Sequence, residues 1–473
     1  MIRFGTGGWR AIIGDDFIKA NICLLAQAIA ADMRGEEKDK GVVIGYDRRF
    51  LSETAAVWAA EVFAGNGIKV HFIDKIAPTP LIMFSVRKLG TKYGMAITAS
   101  HNPAAYNGIK IFTAGGRDAG EDVTKKLEGI IDSGPEVLSM PYKDGVNAGL
   151  IVRCTTQNDY IDSIISMVNM QAIREKNLKI LLDPMFGVSR TSLMTILMTA
   201  RCDVELIHDR RDPLFGGRLP APTEKTLLSL INDVVEQGYD LGIATDGDAD
   251  RIGIIDDQGN FIHPNSILVL LYYYMLKYKG WKGDAVRNIA TTELLDKIAA
   301  DFGFVCHEVP VGFKHVSAAI EKYDALIGGE SSGGLTIRGH IPGKDGIFAA
   351  ALLVEMLSVT GKKMSELLDE IFARYGKSEM AEYDTRFSPE KKAELQHRLF
   401  VDKFVPDLAA IGVNISEANY MDGVKLRFAG GGWIIIRFSG TEPLLRIFCE
   451  AENREKAQKI IDLTAAQLGL SGN

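Results

Sequence analysis

Three short stretches carry side chains with chemistry to perform. Thr98-Ala99-Ser100-His101-Asn102-Pro103 sets a hydroxyl nucleophile in a polar loop directly after the apolar run Tyr93 to Ile97. Asp246-Gly247-Asp248-Ala249-Asp250-Arg251 follows another apolar run. Its three carboxylates at alternate positions can converge on one hard cation, with Gly247 permitting the tight bend. Mg²⁺ suits such an oxygen set because its near-octahedral shell keeps positions open for substrate oxygens, and a phosphate on Ser100 would fill one. Arg437-Phe438-Ser439-Gly440-Thr441-Glu442-Pro443 offers a guanidinium fork at Arg437, hydroxyls at Ser439 and Thr441, and the N–H groups of a turn through Gly440. That is the complement of a phosphate dianion. A nucleophile, a cation site and a separate anion grip read together as phosphoryl transfer.

Each stretch has a competing reading: an N-cap for Ser100, a hairpin turn with a solvated arginine for Arg437, and two for the aspartates. The aspartate loop begins like an EF-hand, but Arg251 stands where that loop needs Gly, Asp257 where it needs Glu, and both flanks are strand-like. The Asp-x-Asp nucleophile loop of aspartyl-phosphate sugar phosphatases is a stronger rival, with Asp246 itself phosphorylated. Asp250 disfavours it, standing where that loop carries Thr or Val. Gly329-Glu330-Ser331-Ser332-Gly333 matches the hydrolase Gly-x-Ser-x-Gly elbow, yet a glycine-broken, strand-like segment follows where a helix is required. Glu330 and Ser332 are better suited to binding sugar hydroxyls, beside the backbone of Gly329. Gly312-Phe313-Lys314-His315 adds two groups suited to proton transfer near neutral pH, although His315 alone also fits the start of a helix. Ser100 is a poor nucleophile unaided, so a phosphorylated serine polarised by a cation and by Lys110 is the more useful species.

The elements that must position these loops form a repeated pattern. A strand, a helix and a second strand are expected at Val42 to Asp47, Ser52 to Ala64 and Ile68 to Ile73. The pattern recurs at Leu178 to Leu182, Ser189 to Thr199 and Cys202 to Ile207, and again at Val286 to Ala290, Glu293 to Phe302 and Val305 to Val309. Each is a βαβ unit, as parallel strands require. Each is followed by an apolar strand leading into one of the loops: Met95 to Thr98, Leu241 to Thr245 and Asp324 to Ile327. Because ligands of parallel sheets lie beyond the carboxyl ends of the strands, the three loops are expected to share one cleft. The last hundred residues read instead as an α+β module: helix Pro389 to Leu399, strands Gly423 to Phe428, Trp433 to Phe438 and Leu444 to Ala451, and helix Arg454 to Leu468. The expected α/β domains span 1–145, 146–257 and 258–374, with the α+β domain at 375–473.

A chain of 473 residues exceeds what one core organises, in keeping with several domains. A net charge of −7 with scattered basic residues argues against a nucleic-acid surface and for small-molecule partners. Five separated cysteines show neither a disulfide framework nor zinc spacing. The apolar runs Ile267 to Met275 and Ile347 to Val354 are too short for a bilayer, which takes roughly 20 residues. Met1 to Phe17 lacks the apolar stretch of a secretory segment, so a cytoplasmic location is expected, with no membrane partner. Monomer and homodimer are both compatible with these features.

The motifs, in this order and over nearly the whole chain, resemble the α-D-phosphohexomutase superfamily of phosphoglucomutases, phosphomannomutases and phosphoglucosamine mutases. The resemblance implies a heart-shaped α/β enzyme, three tandem related domains with mixed sheets plus a C-terminal α+β domain, around a central cleft. It implies that Ser100 carries the phosphoryl group next to His101, and that Mg²⁺ is held by Ser100, Asp246, Asp248 and Asp250. It also implies that Arg10, Lys110 and Arg251 face the transferring phosphate. The reaction implied runs through glucose 1,6-bisphosphate, which turns end over end between the cation site and the clamp of Arg437, Ser439 and Thr441. The sugar loop departs from family patterns, with Ser331 in place of Glu, Met or Gln and Gly334 in place of a His. The Gly-Phe-Lys segment leans towards phosphoglucomutase, with phosphomannomutase or dual specificity as the alternative.

Overall fold

Runs such as Val42–Tyr46, Tyr93–Ile97 and Leu241–Thr245 are almost entirely apolar because all five residues of each are buried, the mark of strands covered on both faces. The computed structural model, which describes residues 2–5, 7–438 and 444–470, builds three mixed sheets on such strands. The first runs Trp9–Ile12, Tyr106–Thr113, Tyr93–Ile97, Val42–Tyr46, Val70–Ile76, Ile151–Arg153. The second runs Phe261–Ile262, Ile252–Ile255, Leu241–Thr245, Lys179–Asp183, Asp203–Leu206, and the third Cys306–Val309, Ala285–Asn288, Ile327–Gly329, Leu335–Ile337.

The three share one plan. A βαβ crossover gives parallel strands, and one of these turns back into an antiparallel neighbour: Tyr93–Ile97 with Tyr106–Thr113, Leu241–Thr245 with Ile252–Ile255, Ile327–Gly329 with Leu335–Ile337. The loop at each of these reversals is a chemistry-bearing one. The first sheet also takes in Ile151–Arg153, paired parallel with Val70–Ile76, so a boundary at residue 146 would fall inside it. Asp324, expected to open a strand, instead closes the helix Phe313–Tyr323 in a left-handed turn, and the strand starts at Ile327.

The last unit is a five-stranded antiparallel sheet, Glu379–Arg386, Leu444–Ala451, Trp433–Phe438, Val424–Phe428, Ile415–Asn419, with the helix Arg454–Gln467 on one face. Its core is its own. The second and third units share one with one face of the first, where Leu81, Ile82, Val86 and Phe112 join it, built around the buried helices Pro264–Lys277 and Gly346–Thr360.

A polar seam joins the third and fourth units. Arg287 and Lys425 are both essentially inaccessible to solvent. Arg287 meets Asp296 and Glu308 at 2.6 Å each, while Lys425 meets Glu308 at 2.7 Å and Glu293 at 3.1 Å. Trp433 lies against Ile289 and Ala290 and donates its ring N–H to Glu450, which also accepts from the Thr292 hydroxyl.

Candidate active site

Ser100 sits at the first reversal with a φ of +52°, a conformation that non-glycine residues rarely adopt. Its hydroxyl is buried and donates to Asp246 Oδ2 at 2.8 Å, bringing together residues 146 positions apart. The other Asp246 oxygen accepts the backbone N–H groups of Asp250 and Arg251 at 3.0 and 3.1 Å, which curls the aspartate loop on itself. Gly247 is required here: a Cβ would stand 2.7 Å from the Ser100 carbonyl oxygen.

All three aspartates are at most 1% exposed, and one oxygen of each lies within 4.8 Å of the others. Lys110 donates to Asp248 Oδ2 and Asp250 Oδ2 at 2.6 Å each. Thr79 donates to Asp248 Oδ2 at 2.6 Å, and Lys344 Nζ is 3.1 Å from Asp250 Oδ2. Burial and the two neighbouring carboxylates push the Asp246 acid well up. Burial presses the same way on Asp250, but Lys110, Lys344 and Arg251 outweigh it and hold that carboxyl far below the carboxylate range. The Lys110 ammonium is correspondingly held up, its desolvation outweighed by Asp248 and Asp250.

The Oδ1 atoms of Asp248 and Asp250 are buried with no hydrogen-bond partner among the described residues. A buried carboxylate oxygen without a partner is costly, and hard oxygen donors in this arrangement are what Mg²⁺ takes. Residues and cation therefore fit one another.

Arg10 lies on the edge strand beside Tyr106–Thr113, in register with Gly108. Burial draws its guanidinium down to about 10 against the opposing pull of Asp248 and Asp250. His101 Nδ1 is 3.4 Å from Ser100 Oγ. The Arg251 charge foremost, then burial, depresses the His101 imidazole well below its usual range. Arg251 Nε stands 3.9 Å from Asp250 Oδ1.

Across the cleft, Glu330 is buried and accepts from Asn288 Nδ2 at 2.9 Å and the Gly312 N–H at 3.0 Å, both on Oε1. Gly329 ends the strand that delivers it, and Ser332 is exposed at the loop tip. Lys314 reaches back to the first unit, lining a cavity of about 30 Å³ with Gly5, Gly7, Gly8, Lys110 and Asp118. His315, one residue on, is lowered by burial and by Lys314. Arg437 pairs through Nε with Asp422 Oδ1 at 3.0 Å, and Asp422 Oδ2 accepts the Val311 N–H at 2.9 Å. The guanidinium is thus tied to the Gly312-Phe313-Lys314 loop. Ser439, Gly440 and Thr441 lie outside the described residues.

Two side chains emerge here that the motifs did not mark. Lys344 enters the aspartate cluster by laying its stem across Gly334, where a Cβ would stand 2.1 Å from its Cδ. Arg49 donates to four carbonyl oxygens of the Ser100 loop. Only the glycine at 334 and the Asp47-Arg48-Arg49 run after a strand hinted at either.

Models of the phosphoglucomutase/phosphomannomutase domains match the chain in order: α/β/α domain I at residues 1–137, domain II at 158–259, domain III at 263–375 and the C-terminal domain at 403–467. The chain is 31% identical over 461 residues to a phosphoglucomutase/phosphomannomutase of Thermococcus kodakarensis, with 97% of each covered. It is 32% identical over 468 residues to a protein of Methanothermobacter thermautotrophicus named as a phosphoglucosamine mutase, covering 98% of this chain and 97% of the relative. A crystal structure from Thermus thermophilus, described as a phosphomannomutase, superposes with a TM-score of 0.84 at 29% identity, with 99% of each chain covered.

Proposed function

Because the chain belongs to the phosphoglucomutase/phosphomannomutase family, we propose that this mutase interconverts glucose 1-phosphate and glucose 6-phosphate, mannose phosphates being the alternative substrates. The observation that carries the reading is the contact of the buried Ser100 hydroxyl with Asp246, inside a cluster of three aspartates closed by Lys110 and Lys344.

In this reading Ser100 Oγ carries a phosphoryl group, and a hydroxyl of the bound hexose monophosphate attacks it. The Oγ–P bond breaks as a new sugar O–P bond forms, the proton of the attacking hydroxyl passing to Ser100 Oγ by way of a base among Lys110, Lys314 and His315, and a 1,6-bisphosphate results. Asp246, Asp248 and Asp250 would hold Mg²⁺, which when bound supplies positive charge to the phosphoryl oxygens. Arg10, Lys110, Arg251 and Lys344 surround the same point, four cations against three carboxylates, leaving room for the charge of incoming phosphates. Positioning and charge neutralisation of this kind supply most of the catalysis in phosphoryl transfer.

Glu330 and Ser332 take the sugar hydroxyls. Arg437, fixed by Asp422, grips the phosphate at the far end, with Ser439 and Thr441 assigned to the same clamp. After the bisphosphate reorients, Ser100 recovers a phosphoryl group from the other end and releases the product. A sugar accepted both ways round is read more readily at O3 and O4, which roughly exchange places, than at O2. Glucose and mannose differ only at C2. Small-molecule sugar phosphates are the partners this cleft serves, and the cytoplasm is where they would be met.

A coupled assay of glucose 1-phosphate against mannose 1-phosphate and glucosamine 1-phosphate, with intact mass of the Ser100 peptide, tests the reading. The expected result is conversion without phosphate release, fastest with glucose, and one phosphate on the peptide. Active enzyme whose peptide never carries phosphate would refute it. So would release of inorganic phosphate that survives Ser100→Ala.

A further inference from the structure

We infer that Arg49 is a positioning residue for phosphoryl transfer at Ser100, acting through the backbone of the Ser100 loop and braced by Phe215 of the second unit; the inference rests on the mutase reading above. The Arg49 side chain is fully buried. Its Nη1 donates to the carbonyl oxygens of Pro103 and Tyr106 at 2.9 and 3.0 Å, and its Nη2 to those of Ser100 and Asn102 at 2.7 and 2.6 Å. Four of the five donors of the guanidinium fork are thereby spent on one loop. The fifth, Nε, faces Asp47 at 3.4 Å, and Asp47 is itself held by the Arg49 N–H and the Ser52 hydroxyl.

Left-handed backbone at a serine persists only where its surroundings over-determine it, and these bonds do so at Ser100. None of them touches the reacting hydroxyl. Arg49 acts on where that hydroxyl sits.

The brace comes from the segment Asp212 to Pro220. Phe215, buried and itself at a φ of +53°, lays its ring under the Arg49 guanidinium at 4.8 Å. Five residues on, the Pro220 carbonyl accepts the Gly247 N–H at 3.2 Å. Asp212 pins the start of the segment, accepting the N–H groups of Leu214 and Gly216 on its two oxygens. One piece of the second unit therefore sets both halves of the reaction centre: the serine loop through Arg49 and the aspartate loop through Gly247. A lysine at position 49 keeps the charge but has no fork to address four carbonyls.

The test uses the full chain carrying Arg49→Lys and, separately, Phe215→Leu, assayed on glucose 1-phosphate beside the wild type, with melting followed by circular dichroism. A displacement of the serine by about 1 Å is enough to lower kcat about 100-fold, the fall expected for Arg49→Lys. KM should stay within about twofold, because the sugar and far-phosphate contacts lie on other loops. Phe215→Leu keeps an apolar side chain and removes the ring face, and about a tenfold fall in kcat is expected. Rephosphorylation of Ser100 by glucose 1,6-bisphosphate, read by peptide mass, should slow in the same proportion. Wild-type kcat in Arg49→Lys overturns the inference, as does a loss carried by KM, or activity lost only in step with folded protein, Phe215→Leu deciding where Arg49→Lys does not fold. A wild-type chain that converts no sugar phosphate overturns the mutase reading itself.

Discussion

Gly334→Ala adds a single methyl group and should disable catalysis without unfolding anything. The new carbon would stand 2.1 Å from Cδ and 2.7 Å from Cγ of Lys344, so one of the two must move. Gly334 is not among the residues at positive φ, and its strand-side backbone accepts alanine. The lysine stem is the flexible partner and gives way. Stability should fall by no more than about 3 kcal/mol, the upper size of a charge-assisted contact, which leaves the chain folded. What is lost is the ammonium 3.1 Å from Asp250, a charge-assisted contact of about 1.5–3 kcal/mol. If that ammonium faces the transferring phosphoryl group, kcat/KM falls about 10- to 150-fold. The coupled assay on glucose 1-phosphate reads this directly, with Lys344→Met and the double variant run alongside. Because the glycine acts through the lysine, the double variant should be no worse than Lys344→Met alone. Full activity in Gly334→Ala, or losses that add in the double variant, would refute the reasoning.

Other outcomes follow from the same contacts. Chelation should remove activity and Mg²⁺ restore it, and Mg²⁺ should also raise the melting temperature, since it partners the two orphaned aspartate oxygens; a melt indifferent to Mg²⁺ would count against the cation site. Lys425→Met removes one of the cations facing Glu293 and Glu308, which keep Arg427 and Arg287, and should cost about 1.5–3 kcal/mol in a urea melt; a change within about 0.5 kcal/mol would show that the seam contributes little. The seam also has an acid limit. Burial works to raise the Glu308 carboxyl, but Arg287 and Lys425 outweigh it and hold it down at about 2. A depressed carboxyl stabilises the fold above its unfolded value of about 4.3 and loses that contribution as pH falls towards its folded value. Melting temperature should therefore drop between pH 4.5 and 2, and the drop should shrink in Glu308→Gln.

The repeated unit was legible because its parallel strands are buried on both faces and read as solid apolar runs. Glu379–Arg386 and Ile415–Asn419 were not foreseen: they belong to an antiparallel sheet, carry charges, and are mostly exposed or half-buried. Trp9–Ile12 is too short to announce itself, although it carries Arg10. In the site, Ser100 and the aspartate triplet stood out by residue type and spacing, and the fold brings them into contact. Lys344 could not be read in the same way, because its reach depends on a missing side chain ten positions earlier. Arg49 spends itself on carbonyl oxygens, which leave no trace in sequence. Lys314 was anticipated as a proton-transfer group, and it lines a cavity with Gly5, Gly7 and Gly8 of the first unit, a proximity that only the assembled units reveal.

The left-handed backbone at residue 100 has a bearing on which amino acid can serve there. Glycine would rest in that geometry without steric strain but brings no hydroxyl for the proposed phosphoryl transfer. Threonine has the alcohol, yet its branched Cβ makes positive φ a true outlier. Among alcohols, steric fit rather than reactivity thus selects serine, and a swap to threonine would keep the functional group while evicting it from its seat.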